Sequence, residues 1–191
     1  MDNLTEGIKT AFDSTRKIKE LERQVKLSDT VSNKLKLADE YMSEGQNKPA
    51  LDLYKSCLTG IYHDDPNVLT KAVEASYHIE DYESVVLFAK KLKGNEDFNK
   101  SFQKTYLAWS LSKLDKKSEA NGVFQEMDNS YSNYPQRIEY VHFLNLHGHE
   151  EEAKNKIQEL LDEIESMDRN GKRMKKDIYW TLKNIKSKTT A

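Results

Sequence analysis

One period constrains this chain more than any other feature. Ala50, Val85, Ala120 and Ala153 recur at steps of 35, 35 and 33 residues. Twelve residues before each stands a second small or branched residue: Ala38, Val73, Ala108 and Val141. Around these pairs four segments align on apolar positions. They are "NKLKLADEYMSEGQNKPALDLYKSCL", "NVLTKAVEASYHIEDYESVVLFAKKL", "SFQKTYLAWSLSKLDKKSEANGVFQEM" and "PQRIEYVHFLNLHGHEEEAKNKIQELL". A period of this length marks a supersecondary unit that buries its apolar face only by stacking on a neighbour. Small residues at both places let two antiparallel helices approach closely, and larger residues one turn away fill the space around the crossing. The pattern predicts inter-helix turns near Gly45, Glu80, Asp115 and Gly148.

The composition agrees with helices that expose much surface. Of the 191 residues, 37% are hydrophobic and 32% charged, and only 7 Gly and 3 Pro interrupt the chain. The single cysteine, Cys57, permits no internal disulfide and sits at a helix-packing position. No apolar run approaches the roughly 20 residues of a membrane span. The start, "MDNLTEGIKT", lacks the basic and apolar blocks of a secretory signal. A cytoplasmic protein, or one at the cytoplasmic face of a membrane, is the expectation. Charge is uneven: residues 1–30 carry 6 basic and 6 acidic groups, residues 31–165 carry 16 and 24, and residues 166–191 carry 8 and 2. An acidic body argues against nucleic acid as its partner.

The period, the two helices per unit and the small/large pattern resemble the tetratricopeptide repeat (TPR). The resemblance covers residues 31–165. The repeats are degenerate: Lys34, Leu69, Lys104 and Arg137 stand where the family has an aromatic. The stretch "RKIKELERQVKLSDTVSNKLKLADEYMSEGQNKPALDLYKSCLTGIYHDDP" is also similar to bacterial TPR arrays that follow a membrane segment of the phospholipase-D N-terminal type. No such segment lies in these residues. The fold expected is all-α: a right-handed α-solenoid of about four degenerate helix pairs, flanked by an N-terminal helix over 1–28 and a C-terminal helix over 170–188.

In the first flank, Leu4, Ile8, Ala11, Thr15, Ile18 and Val25 form a loose heptad seam with Phe12 beside it, and Glu22 interrupts it. A single helix resting on the first repeat is the simpler reading; a homodimer through a coiled coil is the alternative. "SDT" at 28–30 signals a helix stop and restart. In the second flank, Met174, Ile178, Leu182 and Ile185 form a stripe expected to cover Ile157, Leu161 and Ile164. Arg173, Lys176 and Lys183 lie opposite, with Trp180 among them. The simpler reading is a solvated basic helix end with Trp180 tucked inward; a membrane-surface or nucleic-acid contact is the alternative.

The helix over 101–114 carries two apolar stripes. Leu107, Ala108, Leu111 and Leu114 suffice for the core, so Phe102, Tyr106 and Trp109 are surplus unless they pack between helices. The TPR resemblance implies that positions 2, 5, 6, 9, 12 and 13 of each unit face a concave groove. Counting from residues 31, 66, 101 and 134 places Met42, Tyr77, His78, Phe102, Tyr106, Trp109 and His142 there. The resemblance also implies a peptide or protein ligand. The positions that grip a chaperone's C-terminal carboxylate in that family correspond here to Leu35, Asp39, Lys71, Phe102 and Tyr106, which lack the paired donors a carboxylate needs. A chaperone tail is therefore not expected.

Nothing in the sequence points to catalysis, a cofactor or a metal. There is no Gly-rich phosphate loop, nucleophile elbow or Cys–His pairing. His142, His147 and His149 are not spaced by three or four along one face, and Glu150–Glu152 open a helix, where carboxylates suit the dipole. The function expected is a non-enzymatic interaction scaffold that binds a peptide or helix in an aromatic groove.

Overall fold

The computed structural model describes the backbone of residues 2–189 and the side chains of residues 15–188. Every regular element among the described residues is helical. The chain forms two compact units, Met1–Asn95 and Glu96–Ala191. The first holds α1 (Asp2–Leu27), α2 (Val31–Ser43), α3 (Asn47–Cys57), α4 (Pro66–His78) and α5 (Tyr82–Lys91), with a 3₁₀ turn at Gly60–Tyr62. The second holds α6 (Glu96–Lys100), α7 (Gln103–Lys113), α8 (Lys117–Met127), α9 (Tyr134–Leu146), α10 (Glu150–Ser166), α11 (Arg169–Met174) and α12 (Lys176–Thr189). Sequence neighbours pack as pairs: α2 on α3, α4 on α5, α7 on α8, α9 on α10.

The four pairs close through one recurring turn. Gly45, Glu80, Asp115 and Gly148 all have left-handed backbone, with φ of 70°, 61°, 59° and 79°. After each, an N–H reaches back five residues: Gln46 to Tyr41 O, Asp81 to Ser76 O, Lys116 to Leu111 O and His149 to Leu144 O, at 2.8–3.0 Å. The left-handed residue itself donates three residues back, to Met42, Tyr77, Ser112 and Asn145. This is the Schellman arrangement, which satisfies the last carbonyls of a helix and reverses the chain. Glycine fits it without strain at two of the four positions; Glu80 and Asp115 adopt it with a Cβ present.

The repeat pattern puts the core where the pairs cross. Ala38, Val73, Ala108 and Val141 on the first helices, and Ala50, Val85, Ala120 and Ala153 on the second, are all fully buried. Leu69, Phe124, Leu144, Ile157 and Leu160 fill the space around them. Cys57 is buried too, and burial pushes its thiol pKa up.

Of the four residues at the position where the resemblance would place an aromatic, Leu69 is fully buried and the other three are cations whose heads find carboxylates. Lys34 pairs with Asp29 at 2.8 Å and Lys104 with Glu126 at 2.7 Å. Arg137 is completely buried. Its guanidinium donates to Asp128 at 2.7 Å, Glu159 at 2.6 Å and Glu163 at 2.7 and 3.0 Å. Burial alone would raise the Glu163 carboxyl, but bonds from Arg137 and the Tyr131 N–H outweigh it and hold the pKa below its ordinary value.

The flanking helices rest on the pairs. α1 ends at Leu27, and Thr30 caps α2 by accepting from the Asn33 N–H at 3.2 Å. α1 packs on α2, with Ile18 buried. Glu22, which breaks the heptad seam, accepts a 2.6 Å bond from the Tyr41 hydroxyl; burial and this carboxylate push that phenol up to about 12. The side chains of Leu4, Ile8, Ala11 and Phe12 lie outside the described residues. At the other end, α12 covers α10 with Leu182 fully buried over a layer holding Ile157, Leu161 and Ile164. Two details differ from expectation. The C-terminal helix is split at Lys175, leaving Met174 at the end of the short α11 and 79% exposed. Trp180 is 56% exposed, because two residues before Leu182 on a helix is the opposite face.

Candidate functional site

Each unit carries an open cleft on its first-helix side. The cleft of the first unit, about 570 Å³, lies beside α2, α4 and the start of α3, and is lined by Asp39, Met42, Asn47, Lys71, Glu74 and His78 among others. The cleft of the second, about 740 Å³, is lined by His142, Asn145, Glu150, Thr181, Asn184, Ile185 and Lys188. The linings correspond. Asp39, Met42 and Asn47 precede His142, Asn145 and Glu150 by 103 residues each, the sum of the three repeat steps. Lys71, Glu74 and His78 precede Thr181, Asn184 and Lys188 by 110 each. Thus α12 presents to α9 the positions that α4 presents to α2. It occupies the place of a further first helix as well as covering α10.

Neighbouring first helices are tied at one recurrent pair of positions, the ninth of one unit and the sixth of the next. In the first unit this is an ion pair: Lys71 Nζ donates to both Asp39 oxygens at 2.6 and 2.7 Å, and the Tyr54 hydroxyl donates to Asp39 Oδ1 at 2.7 Å. In the second it is Trp109, whose indole N–H donates to Glu139 Oε2 at 2.9 Å. Both Asp39 and Lys71 are solvated at the surface, so their pairing orients more than it stabilises. It also occupies the only cation at the positions matching the chaperone-tail grip.

The aromatic candidates divide between the units. Tyr77 is half-buried, edge-on to His78 at 6.1 Å and to Tyr82 at 6.2 Å; His78 is exposed and lines the first cleft. In the second unit Phe102 stands at the N-cap of α7, 38% exposed and edge-on to the half-buried Tyr106 at 5.7 Å. Trp109 is half-buried, with its ring against Phe124 at 5.6 Å and Phe143 at 6.1 Å. It is therefore a packing residue and a surface residue at once, so its ring is not surplus to the core. His142 is exposed in the second cleft.

The remaining histidines do not converge. His147 Nε2 lies 2.9 Å from Ser112 Oγ, and the ring packs on Phe143 at 4.6 Å. Burial, with Lys117 nearby, lowers its pKa. Sequence reasoning missed the cleft residues Asn145, Thr181, Asn184 and Lys188. The α12 members fall outside the 35-residue register, and only the fold returns them to it. Comparison with protein-family models and with curated proteins returned no match to this sequence.

Proposed function

We propose that this chain is a non-enzymatic interaction scaffold of TPR type, a right-handed solenoid of four degenerate helix pairs, whose first-helix faces hold a peptide segment. The observation that carries the proposal is the recurrence of one cleft, built from corresponding positions, in both units. A lining repeated at the period of the fold suits a ligand that is itself extended and repetitive, as a polypeptide backbone is. The walls mix apolar anchors, Met42 and Ile185, with amide, hydroxyl and charged groups, which gives both contact area and hydrogen-bond partners. Phe102 and Tyr106 add exposed aromatic area on the same class of helix. The acidic body, 16 basic against 24 acidic groups over residues 31–165, favours a segment that is apolar at its anchors and basic around them.

Selection of random peptides displayed on phage tests the reading. Selected peptides should be rich in aromatic or aliphatic residues flanked by Lys or Arg. They should lose at least about tenfold in affinity to Met42→Glu or Ile185→Glu, variants that keep the helical circular dichroism of the parent. Peptides that bind both variants as tightly as the parent would place the ligand elsewhere.

A further inference from the structure

Opposite Leu182, α11 and α12 present a basic face with an aromatic at its centre. α11 closes with the Lys175 N–H on Gly171 O at 3.0 Å, and α12 opens with the Tyr179 N–H on Lys175 O at 2.9 Å, with Lys175 at the break between them. On α12, Lys176, Trp180 and Lys183 follow one another by four and three, on one stripe. Lys172 and Arg173 precede this stripe on α11, and Asp177, next to Lys176, is the acidic residue nearest to it in sequence. Arg173, Lys176 and Trp180 are exposed, and the Lys183 ammonium lies over the Tyr179 ring at 5.2 Å, beside Trp180. The charge behind this face is opposite: residues 96–165 carry 8 basic and 14 acidic groups, against 8 basic and 2 acidic over residues 166–191.

We propose that this face docks the second unit onto an anionic lipid bilayer, with Trp180 entering the headgroup layer and Lys172, Arg173, Lys176 and Lys183 meeting lipid phosphates and carboxylates. The face is the outer side of α12 with the exposed cations of α11 at its start, a convex surface that suits a plane. An indole with long-stemmed cations beside it matches the interfacial layer, where aromatic rings sit at headgroup depth and ammonium groups stay wet. A nucleic-acid strand fits less well, because strand binders offer a groove with several stacking rings and this face offers one. A strand long enough to pass the helix would also meet the acidic body. A bilayer touches the basic helix alone, and the opposed charges of the unit orient it face-on.

The test uses the whole chain with vesicles of phosphatidylcholine, with and without 30% phosphatidylserine, at low and high salt. Binding is read by co-sedimentation and by tryptophan emission. The proposal expects binding to the anionic vesicles alone, a blue shift lost in Trp180→Phe, and loss of binding at high salt. Each neutralised cation should weaken binding about fivefold, and Lys176→Glu/Lys183→Glu more than tenfold, with unchanged thermal unfolding. Equal binding to neutral and anionic vesicles, or none to either, overturns the proposal. Tighter binding to a single-stranded 20-mer oligonucleotide than to the vesicles also overturns it and assigns the face to nucleic acid.

Discussion

Arg137 offers the sharpest test of the fold's energetics. Replacing it with Met keeps most of the buried stem and removes the charge. Asp128 and Glu159 keep a cation, because Lys156 pairs with both, at 2.5 and 2.6 Å. Glu163 has no such reserve. Its side chain is 8% exposed, and without Arg137 its carboxylate retains neutral donors alone, the Tyr131 N–H at 3.0 Å and the nearby Tyr134 hydroxyl. Breaking a buried pair from one side costs about 3–5 kcal/mol, because a charge is left desolvated and unpaired. That is a large share of the roughly 5–15 kcal/mol that holds a domain folded. The sign with pH follows. In the parent, Glu163 titrates below its ordinary value, so its contribution is present at neutral pH and is lost as pH falls through the folded value. In Arg137→Met the burial remains and the cation is gone, so the carboxyl should titrate higher than in the parent and acid should relieve the penalty. The difference between parent and variant should therefore shrink from pH 7 to pH 4. Urea unfolding followed by tryptophan emission reads it, since Trp109 and Trp180 both lie in the second unit. Arg137→Met/Glu163→Leu should recover most of the loss. A loss below about 1 kcal/mol at pH 7 would contradict the desolvation argument, as would one that does not change with pH.

Further outcomes are expected. Glu80→Gly and Asp115→Gly relieve a left-handed backbone at the two non-glycine turns, and each should raise stability by up to about 1 kcal/mol in urea unfolding. Trp109→Ala should lower it by about 2 kcal/mol, less than for a fully buried ring, and Trp109→Phe by about 1 kcal/mol through loss of the Glu139 bond. Deleting residues 172–191 uncovers Ile157, Leu161 and Ile164 and should cost several kcal/mol, at about 1.5–3 per side chain; a truncated chain that stays monomeric and melts at the parent temperature would show that α12 is no cover.

Much of the architecture was legible because it rests on local chemistry. The eight crossing residues could be read from spacing, and all eight are buried. The four turns were legible even where Glu80 and Asp115 replace glycine, because the period located them. Contacts made across 15–34 residues were not legible. Arg137 read as a lost aromatic, since nothing near it in sequence announces Glu159 and Glu163. Trp109 read as surplus surface, because Phe124, Glu139 and Phe143 come from other helices. α12 read as a cover only, because the longer α10 and the inserted α11 shift it out of register. Trp180 was expected to turn inward, although Leu182 already sets the buried face of its helix.

The central claim is that the recurrent first-helix clefts hold peptide, and amide chemical-shift mapping tests it most directly. A selected peptide titrated into isotope-labelled protein should shift Asp39, Met42, Lys71, Glu74 and His78 in the first unit, or His142, Asn145, Thr181, Asn184 and Lys188 in the second, and leave the exposed positions of α3, α5, α8 and α10 unmoved. Shifts confined to those second helices, with the cleft residues silent, would contradict the account.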